Sequence, residues 1–203
     1  MSRHALRSTG FSLLAALTFA AQAAAIQVQV NDGAGRPLPD AVVYLESRDA
    51  ATAAKPARDV AIAQVDKQFS PRVTIVSVGT PVDLTNRDKV RHHVYSFSAA
   101  KTFELKLYTG KPGSPVVFDR PGIAVLGCNI HDQMSAWVVV VETPYYAKTG
   151  ANGQALIDGV PPGTYRLRTW HAALPVGAAA ADQPIAVAAA NAALVVPLAE
   201  VGK

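Results

Sequence analysis

The sequence predicts an all-β protein, and three observations support this prediction. Many short segments rich in β-branched residues alternate apolar and polar side chains with a period of two, as half-buried strands do. Glycine and proline, 14 of each in 203 residues, separate these segments as turn signals. Downstream of residue 25 no segment has a sustained helical period, and Pro184 interrupts the alanine-rich stretch 177–193, which favours loop and strand there. Short strands between frequent turns are typical of β-sandwiches.

The N-terminus has the features of an export signal. Arg3 and Arg7 precede an apolar run at 11–21 that is too short to span a bilayer. Small residues at 21 and 23, or at 23 and 25, form possible cleavage motifs. We therefore assign residues 1–25 to a signal peptide and expect a periplasmic protein with no transmembrane segment after cleavage.

The predicted strands begin directly after this signal. Residues 26–30 (IQVQV) alternate with a period of two, a turn follows over 31–39, and 41–45 is the second strand. Residues 49–59 have no periodicity and predict a linker. The remaining predicted strands are, in chain order, 72–78, 80–85, 93–97, 103–108, 116–118, 123–126, 136–141, 154–157, 165–170 and 194–198.

Charge and motifs argue against two broad functions. The 19 basic and 15 acidic residues are nearly balanced, and no long basic run is present, which excludes a typical nucleic-acid-binding protein. No motif places a serine or cysteine nucleophile beside a histidine and an acid, and the turn at 149–153 is no phosphate-binding loop. We therefore predict that the protein is not an enzyme.

The most informative segment is the heptapeptide 128–134 (CNIHDQM). It contains the only cysteine, Cys128, and the only methionine beyond the initiator, Met134, with His131 three residues from each. A thiolate, an imidazole and a thioether form a ligand set that selects copper. Exported proteins usually pair their cysteines, and metal ligation explains how a lone thiol persists there. The alternative is a cysteine buried as a small apolar residue.

A second imidazole is expected from the adjacent pair His92 and His93. Neighbouring residues on a strand point to opposite faces, so only one of the two easily joins the same metal. His93 shares its parity with Tyr95 and Phe97, which we predict to be core residues, so the pattern slightly favours His93. The period by itself leaves the choice open.

Several other residues have simpler interpretations. We expect His171, after Trp170, to be a surface or capping histidine, and Asp132 to face solvent. Phe103 and Trp137 are predicted core residues. The basic residues near the ligand segments suit steering of an acidic redox partner, although strand edges carry such residues routinely. These basic residues are Arg87, Lys89, Arg91, Lys101, Lys106 and Lys111.

Residues 60–142 resemble the plastocyanin/amicyanin group of cupredoxins. The resemblance lies in Asn86-x-Asp88, His92-His93-Val94, Cys128-x₂-His131-x₂-Met134, Phe69-Ser70-Pro71 and Val78-Gly79-Thr80. In that family the first copper histidine opens a His-Asn-Val triplet, which implies His92, and the implied ligands are therefore His92, Cys128, His131 and Met134. His93 replaces the family's asparagine, and Ile130 stands where proline is frequent. Residues 101–108 further resemble exported proteins of the methylamine-utilisation type.

The flanking segments carry a second resemblance. Residues 28–45 and 149–170 resemble the ends of a carboxypeptidase-regulatory-like, or transthyretin-like, β-sandwich. The expected fold is a cupredoxin Greek-key β-sandwich over 60–142, inserted in or extended by a smaller transthyretin-like β-sandwich from 26–48 and 143–203. One extended cupredoxin with additional strands is the simpler alternative.

The cupredoxin resemblance implies a function. It implies one type 1 copper ion that carries single electrons to and from a redox protein partner, with His131 at the docking edge. A periplasmic copper carrier or storage protein would use the same ligands. A third alternative is an envelope binding module with a non-redox copper site.

Overall fold

The computed structural model describes residues 23–202, which form sixteen β-strands and one short α-helix. The all-β prediction is confirmed. The elements are β1 (Ala24–Asp32), β2 (Val42–Glu46), α1 (Arg48–Ala53), β3 (Val60–Val65), β4 (Gln68–Ser70), β5 (Val73–Ser77), β6 (Thr80–Asn86), β7 (His92–Ser98), β8 (Lys101–Tyr108), β9 (Val116–Phe118), β10 (Gly122–Cys128), β11 (Ser135–Val141), β12 (Tyr146–Lys148), β13 (Gln154–Val160), β14 (Gly163–Trp170), β15 (Ala181–Val187) and β16 (Ala192–Leu198). The predicted signal peptide falls outside the described residues except for 23–25.

The predicted linker is wrong at its start, where the chain forms α1. The Ser47 hydroxyl accepts a hydrogen bond from the Ala50 amide at 3.1 Å, as an N-cap residue does, and Asp49 lies in the first turn. A helix of six residues is too short to show a helical period in its sequence. The segment predicted as irregular therefore begins with one capped turn of helix.

The strands form four sheets that pack as two sandwiches. In the site sandwich, the five-stranded sheet β5-β11-β10-β7-β8 faces the sheet β4-β3-β6-β9 across a shared apolar core. In the flanking sandwich, the sheet β13-β1-β16 faces the sheet β12-β2-β14-β15 across a second core. None of the described helices has the length and hydropathy of a membrane span.

The two sandwiches pack together through β11 and its neighbour β5. Val138 and Val140 of β11 lie in the core of the site sandwich, whereas Val139 and Val141 belong to the core of the flanking sandwich, as does Val73 of β5. A strand buried on both faces needs a continuous apolar run, which explains the sequence Val138–Val141. The sequence boundaries assigned to two domains stay a prediction.

Candidate metal centre

Strand pairing brings the first two candidate ligands together. His92 is the first residue of β7 and Cys128 is the last residue of β10. These strands are antiparallel neighbours, and Cys128 pairs with Val94. The end of one strand therefore meets the start of the other, and the buried faces of both strands point to the same core. His131 follows in the turn between β10 and β11.

The three side chains converge on a single point. His92 Nδ1 lies 3.6 Å from Cys128 Sγ, and His131 Nδ1 lies 3.8 Å from the same sulfur. One ligand atom from each of the three residues lies within 4.8 Å of the other two. Metal bonds of about 2.0 Å to nitrogen and about 2.3 Å to sulfur, separated by about 120°, place two ligand atoms about 3.7 Å apart. The cluster therefore has the spacing of a trigonal metal site.

Burial shields most of this cluster from water. The His92 side chain is fully buried and Cys128 is 4% exposed, whereas His131 is half-buried. Met134 is 2% exposed and lies in the same apolar core as Cys128. Its backbone amide donates to the His131 carbonyl at 2.9 Å, which tightens the ligand loop. All four residues implied by the resemblance are thus close to this end of the site sandwich.

His92 and His93 point to opposite faces of β7. The sequence pattern slightly favoured His93 because it placed the core on the face of Tyr95 and Phe97, and this placement of the core is wrong. His93 Nε2 lies 2.8 Å from Glu104 Oε1, on the face opposite the thiol. Phe97, predicted as core, is 77% exposed, whereas Val94 is fully buried. Small and β-branched side chains pack beneath the sheet here, and the aromatic residues of β7 lie on its outer face.

Asp88 orients the His92 ring. Its Oδ2 atom lies 2.8 Å from His92 Nε2, and the carboxylate also accepts hydrogen bonds from the backbone amides of Asp66 and Lys67. A proton held on Nε2 by the carboxylate leaves the Nδ1 lone pair free for a metal. Partial burial tends to raise the pKa of Asp88, but the hydrogen bonds from His92, Lys67 and Asp66 outweigh it and hold that pKa below its ordinary value.

Asn86 fastens the loop that carries Asp88. The Asn86 side chain accepts from the Asp88 amide at 2.8 Å and donates to the carbonyls of Val90 and Tyr108 at 2.8 and 2.9 Å. Asn86 and Asp88 contribute to the cupredoxin resemblance of the sequence, but the pattern alone gave them no role. The spacing of Asp88 before His92 could have indicated this role, because an acid four residues upstream can reach a histidine across a tight loop.

Tyr108 and Gln64 lie behind the site and were missed from the sequence. The Tyr108 hydroxyl lies 2.9 Å from both Gln64 Oε1 and the Leu84 carbonyl. Burial raises the pKa of Tyr108 to about 12. The hydrogen bond with Gln64 acts to lower this pKa, and the nearby Cys128 acts to raise it. The phenol therefore stays neutral beside the thiol. Neither residue has a pattern in the sequence that separates it from ordinary strand residues.

The other residues considered from the sequence lie outside the cluster. Asp132 is exposed, as expected, and His171 is half-buried and accepts from the Ala173 amide at 3.1 Å, as a capping histidine would. Trp137 is partly buried against the flanking core. Two of the basic residues are engaged in ion pairs, Lys101 with Asp119 at 3.0 Å and Lys111 with Asp83 at 2.7 Å, and the steering role stays a prediction.

Comparisons with known proteins return similar structures but no family. No family model matches the chain, and no curated protein matches it. Among solved structures, it is similar to a purple cupredoxin from Nitrosopumilus maritimus, with 24% identity and a TM-score of 0.36 over 41% of this chain and 100% of that one. A reduced Cu(I) amicyanin mutant gives 19% identity and a TM-score of 0.38 over 49% and 98% of the two chains.

An enzyme is among these similar structures as well. The copper-containing nitrite reductase of Thermus scotoductus shows 21% identity and a TM-score of 0.38 over 55% of this chain and 28% of its own. Because these TM-scores and identities are low, the similarity assigns neither a family nor a function to this chain. The site's own donor set defines it as a candidate His-Cys-His metal centre, and Met134 is buried in the same core as Cys128.

Proposed function

We propose that this protein binds one copper ion at a type 1 site formed by His92, Cys128, His131 and Met134, and that it carries single electrons between redox partners. The observation that carries the proposal is the approach of two imidazole Nδ1 atoms to one buried thiol at 3.6 and 3.8 Å. Two imidazoles, a thiolate and a weak thioether form the ligand set of blue-copper electron-transfer centres. Bound there, copper would supply a one-electron couple.

The chain's own residues suit that role. His92 and Cys128 lie on hydrogen-bonded strands, and the Asn129 amide donates to the His93 carbonyl at 3.0 Å, so the ligand loop is fastened to β7. A rigid ligand set supports electron transfer because little rearrangement accompanies the change of oxidation state. His131 is the most exposed of the three converging ligands and would be the edge at which a redox protein docks.

Export to the periplasm is part of the proposal. Ala24 is buried and pairs with Val160 at the start of β1. Cleavage after Ala23 would preserve this pairing, whereas cleavage after Ala25 would remove the first two residues of the strand. We therefore favour the first of the two cleavage motifs, which N-terminal sequencing of the exported protein would test.

A spectroscopic experiment tests the electron-transfer function. Purified protein is loaded with Cu(II), and its visible and EPR spectra are recorded. An intense blue thiolate charge-transfer band with narrow copper hyperfine splitting is expected. A protein that binds only Cu(I) and stays colourless would instead support the copper carrier or storage function, and failure to bind copper in either state would overturn both.

A further inference from the structure

A groove with aromatic walls lies between the two sandwiches, and the function proposed above assigns no bound molecule to it. It has a volume of about 850 Å³. Tyr95 and Phe97 of β7 and Trp137 of β11 line it on the outer face of the five-stranded sheet. Trp170 and Val176 line it from the flanking sandwich. We call this the aromatic groove; its volume lies within the range of sites that take small organic molecules.

The aromatic groove reaches the candidate metal centre. Cys128 and Met134 are among its lining residues. Gly127, next to Cys128, has no side chain, and a Cβ atom there would lie 2.7 Å from Tyr95 Cζ. The Tyr95 ring therefore lies directly on the backbone that leads into the thiol. A molecule in the groove would lie against the ligand loop without displacing a ligand.

The lining determines which chemistry suits the groove. Among its described lining residues, Asp132 is the only charged side chain, and Asn129 and Ser135 add polar groups near it. Phe97 and Val176 are 77% and 95% exposed, so their apolar surface gains from being covered. Aromatic walls favour a flat ring, and a lone carboxylate favours a hydroxyl donor and disfavours an anion.

We propose that the aromatic groove binds a neutral phenol or hydroquinone, with its ring among the aromatic side chains and a hydroxyl toward Asp132. Binding rests on the groove alone, whereas the redox step rests on the function proposed above. In that step the hydroxyl O–H bond breaks, one electron passes from the hydroquinone to bound Cu(II), and the proton passes to water. The hydroquinone is oxidised to a semiquinone radical, and Cu(II) is reduced to Cu(I).

Nuclear magnetic resonance tests the binding directly, because the chain contains two tryptophans and both line the groove. Tetramethylhydroquinone is titrated anaerobically into the ¹⁵N-labelled protein, in its Cu(I) and metal-free forms. We expect both indole N–H cross-peaks to shift and to saturate in each form. Unchanged indole cross-peaks would overturn the proposal.

Substitutions of exposed residues locate the binding without disturbing the core. Phe97→Ser and Val176→Glu are each expected to weaken binding at least about tenfold, because each removes apolar contact area. Val195→Glu is the matched control, since Val195 is 66% exposed on β16, away from the groove. Equal weakening by Val195→Glu would contradict the assignment to the groove.

A charged probe tests the role of Asp132. The 2,5-dihydroxybenzoate anion carries a carboxylate on the same type of ring, and we expect it to bind at least about tenfold more weakly than the neutral hydroquinone. Asp132→Asn should reduce this discrimination. Equal affinity for the two probes in the unsubstituted protein would overturn the predicted charge preference.

Reduction kinetics separate this proposal from the proposed function. The rate at which tetramethylhydroquinone bleaches the Cu(II) protein should saturate with its concentration and fall at least about tenfold in Val176→Glu, whereas ascorbate should reduce both proteins equally. Saturable indole shifts without a blue site would support the groove and overturn the electron-transfer function. A blue site without indole shifts would support that function and overturn the groove.

Discussion

The site sandwich and the flanking sandwich use buried polar residues in different ways. The flanking core buries threonines that fasten turns: Thr149 Oγ1 donates to the Leu38 carbonyl at 2.7 Å and accepts from the Ala41 amide at 2.9 Å. The site sandwich buries Asn86 and His92 at one end, in a network directed at Cys128. Thr149, Asn86 and His92 each have hydrogen-bond partners, but only His92 also places a second ring nitrogen, Nδ1, 3.6 Å from a thiol sulfur.

This difference agrees with a metal site at one end of the site sandwich, as proposed above. A buried polar group costs free energy unless it is paired, so a strand end that collects several of them needs a compensating role. One such role is the orientation of the His92 ring by the Asp88 carboxylate. The flanking sandwich has a mainly aliphatic core and supports β11 from behind, and its loop after β14 forms one wall of the aromatic groove.

The largest expected effect tests the ligand assignment with a matched pair on one strand. His92→Ala should lower copper affinity more than about 100-fold and abolish the blue band, because loss of a ligand exceeds the usual effect of a supporting residue. His93→Ala should leave both properties nearly unchanged. Visible spectroscopy and a competitive chelator titration measure them. Loss of colour in the His93 variant alone would refute the assignment of His92.

The next effect tests whether the two cores contribute separately. Leu167→Ala in the flanking core and Leu84→Ala in the site core, both at most 1% exposed, should each lower the free energy of unfolding by about 2–5 kcal/mol. Urea denaturation measures this cost. Only Leu84→Ala should also alter the copper spectrum, because Leu84 packs in the same core as Cys128. A spectral change in Leu167→Ala would show that the sandwiches are coupled at the site.

A smaller effect tests the orienting carboxylate. Asp88→Asn should lower metal affinity about 10–100-fold, the range found for groups that hydrogen-bond to a ligating histidine. Glu104→Gln is the matched control, since Glu104 makes a hydrogen bond of the same length, 2.8 Å, to His93. The chelator titration used for the ligand variants measures both proteins. Equal losses of affinity would remove Asp88 from the site.

The smallest effect concerns acid stability of the flanking sandwich. Burial lowers the pKa of His171 below its ordinary 6.5, against opposing contributions from the Pro39 carbonyl and Asp40. The unfolded chain then binds the proton more readily, so stability is complete above about pH 6.5 and declines as the pH falls below it. Urea unfolding at about pH 7 and about pH 5 should show a smaller decline for His171→Gln. An equal or larger decline in that variant would contradict this.

Strands with a clear alternation of apolar and polar residues were predictable from the sequence. Segments that form strands only through pairing with neighbouring strands were not. The period of two in β1 and the apolar run in β11 identify both segments as strands from their residues alone. In β3, the sequence Val60–Val65 lacks alternation and is a strand through its pairing with β6 and β4. β4 and β12 have three residues each, too few for a period, and both lack the run of β-branched and aromatic residues that identifies the equally short β9. The alternation in β7 is visible in its sequence. The aromatic Phe97 suggests the wrong face as core, because its side chain is 77% exposed.

The sequence by itself determined the all-β class and the chemistry of the heptapeptide, because ligand types three residues apart in one turn stay close whatever surrounds them. The family resemblance implied His92, but the strand period left the choice between His92 and His93 open, and only the tertiary structure brings His92 to the thiol. Strand geometry ensures that these neighbours face opposite ways, but sheets distant in sequence determine which face becomes buried. The packing of the two sandwiches also forms the aromatic groove, because its walls come from segments that lie far apart in the sequence.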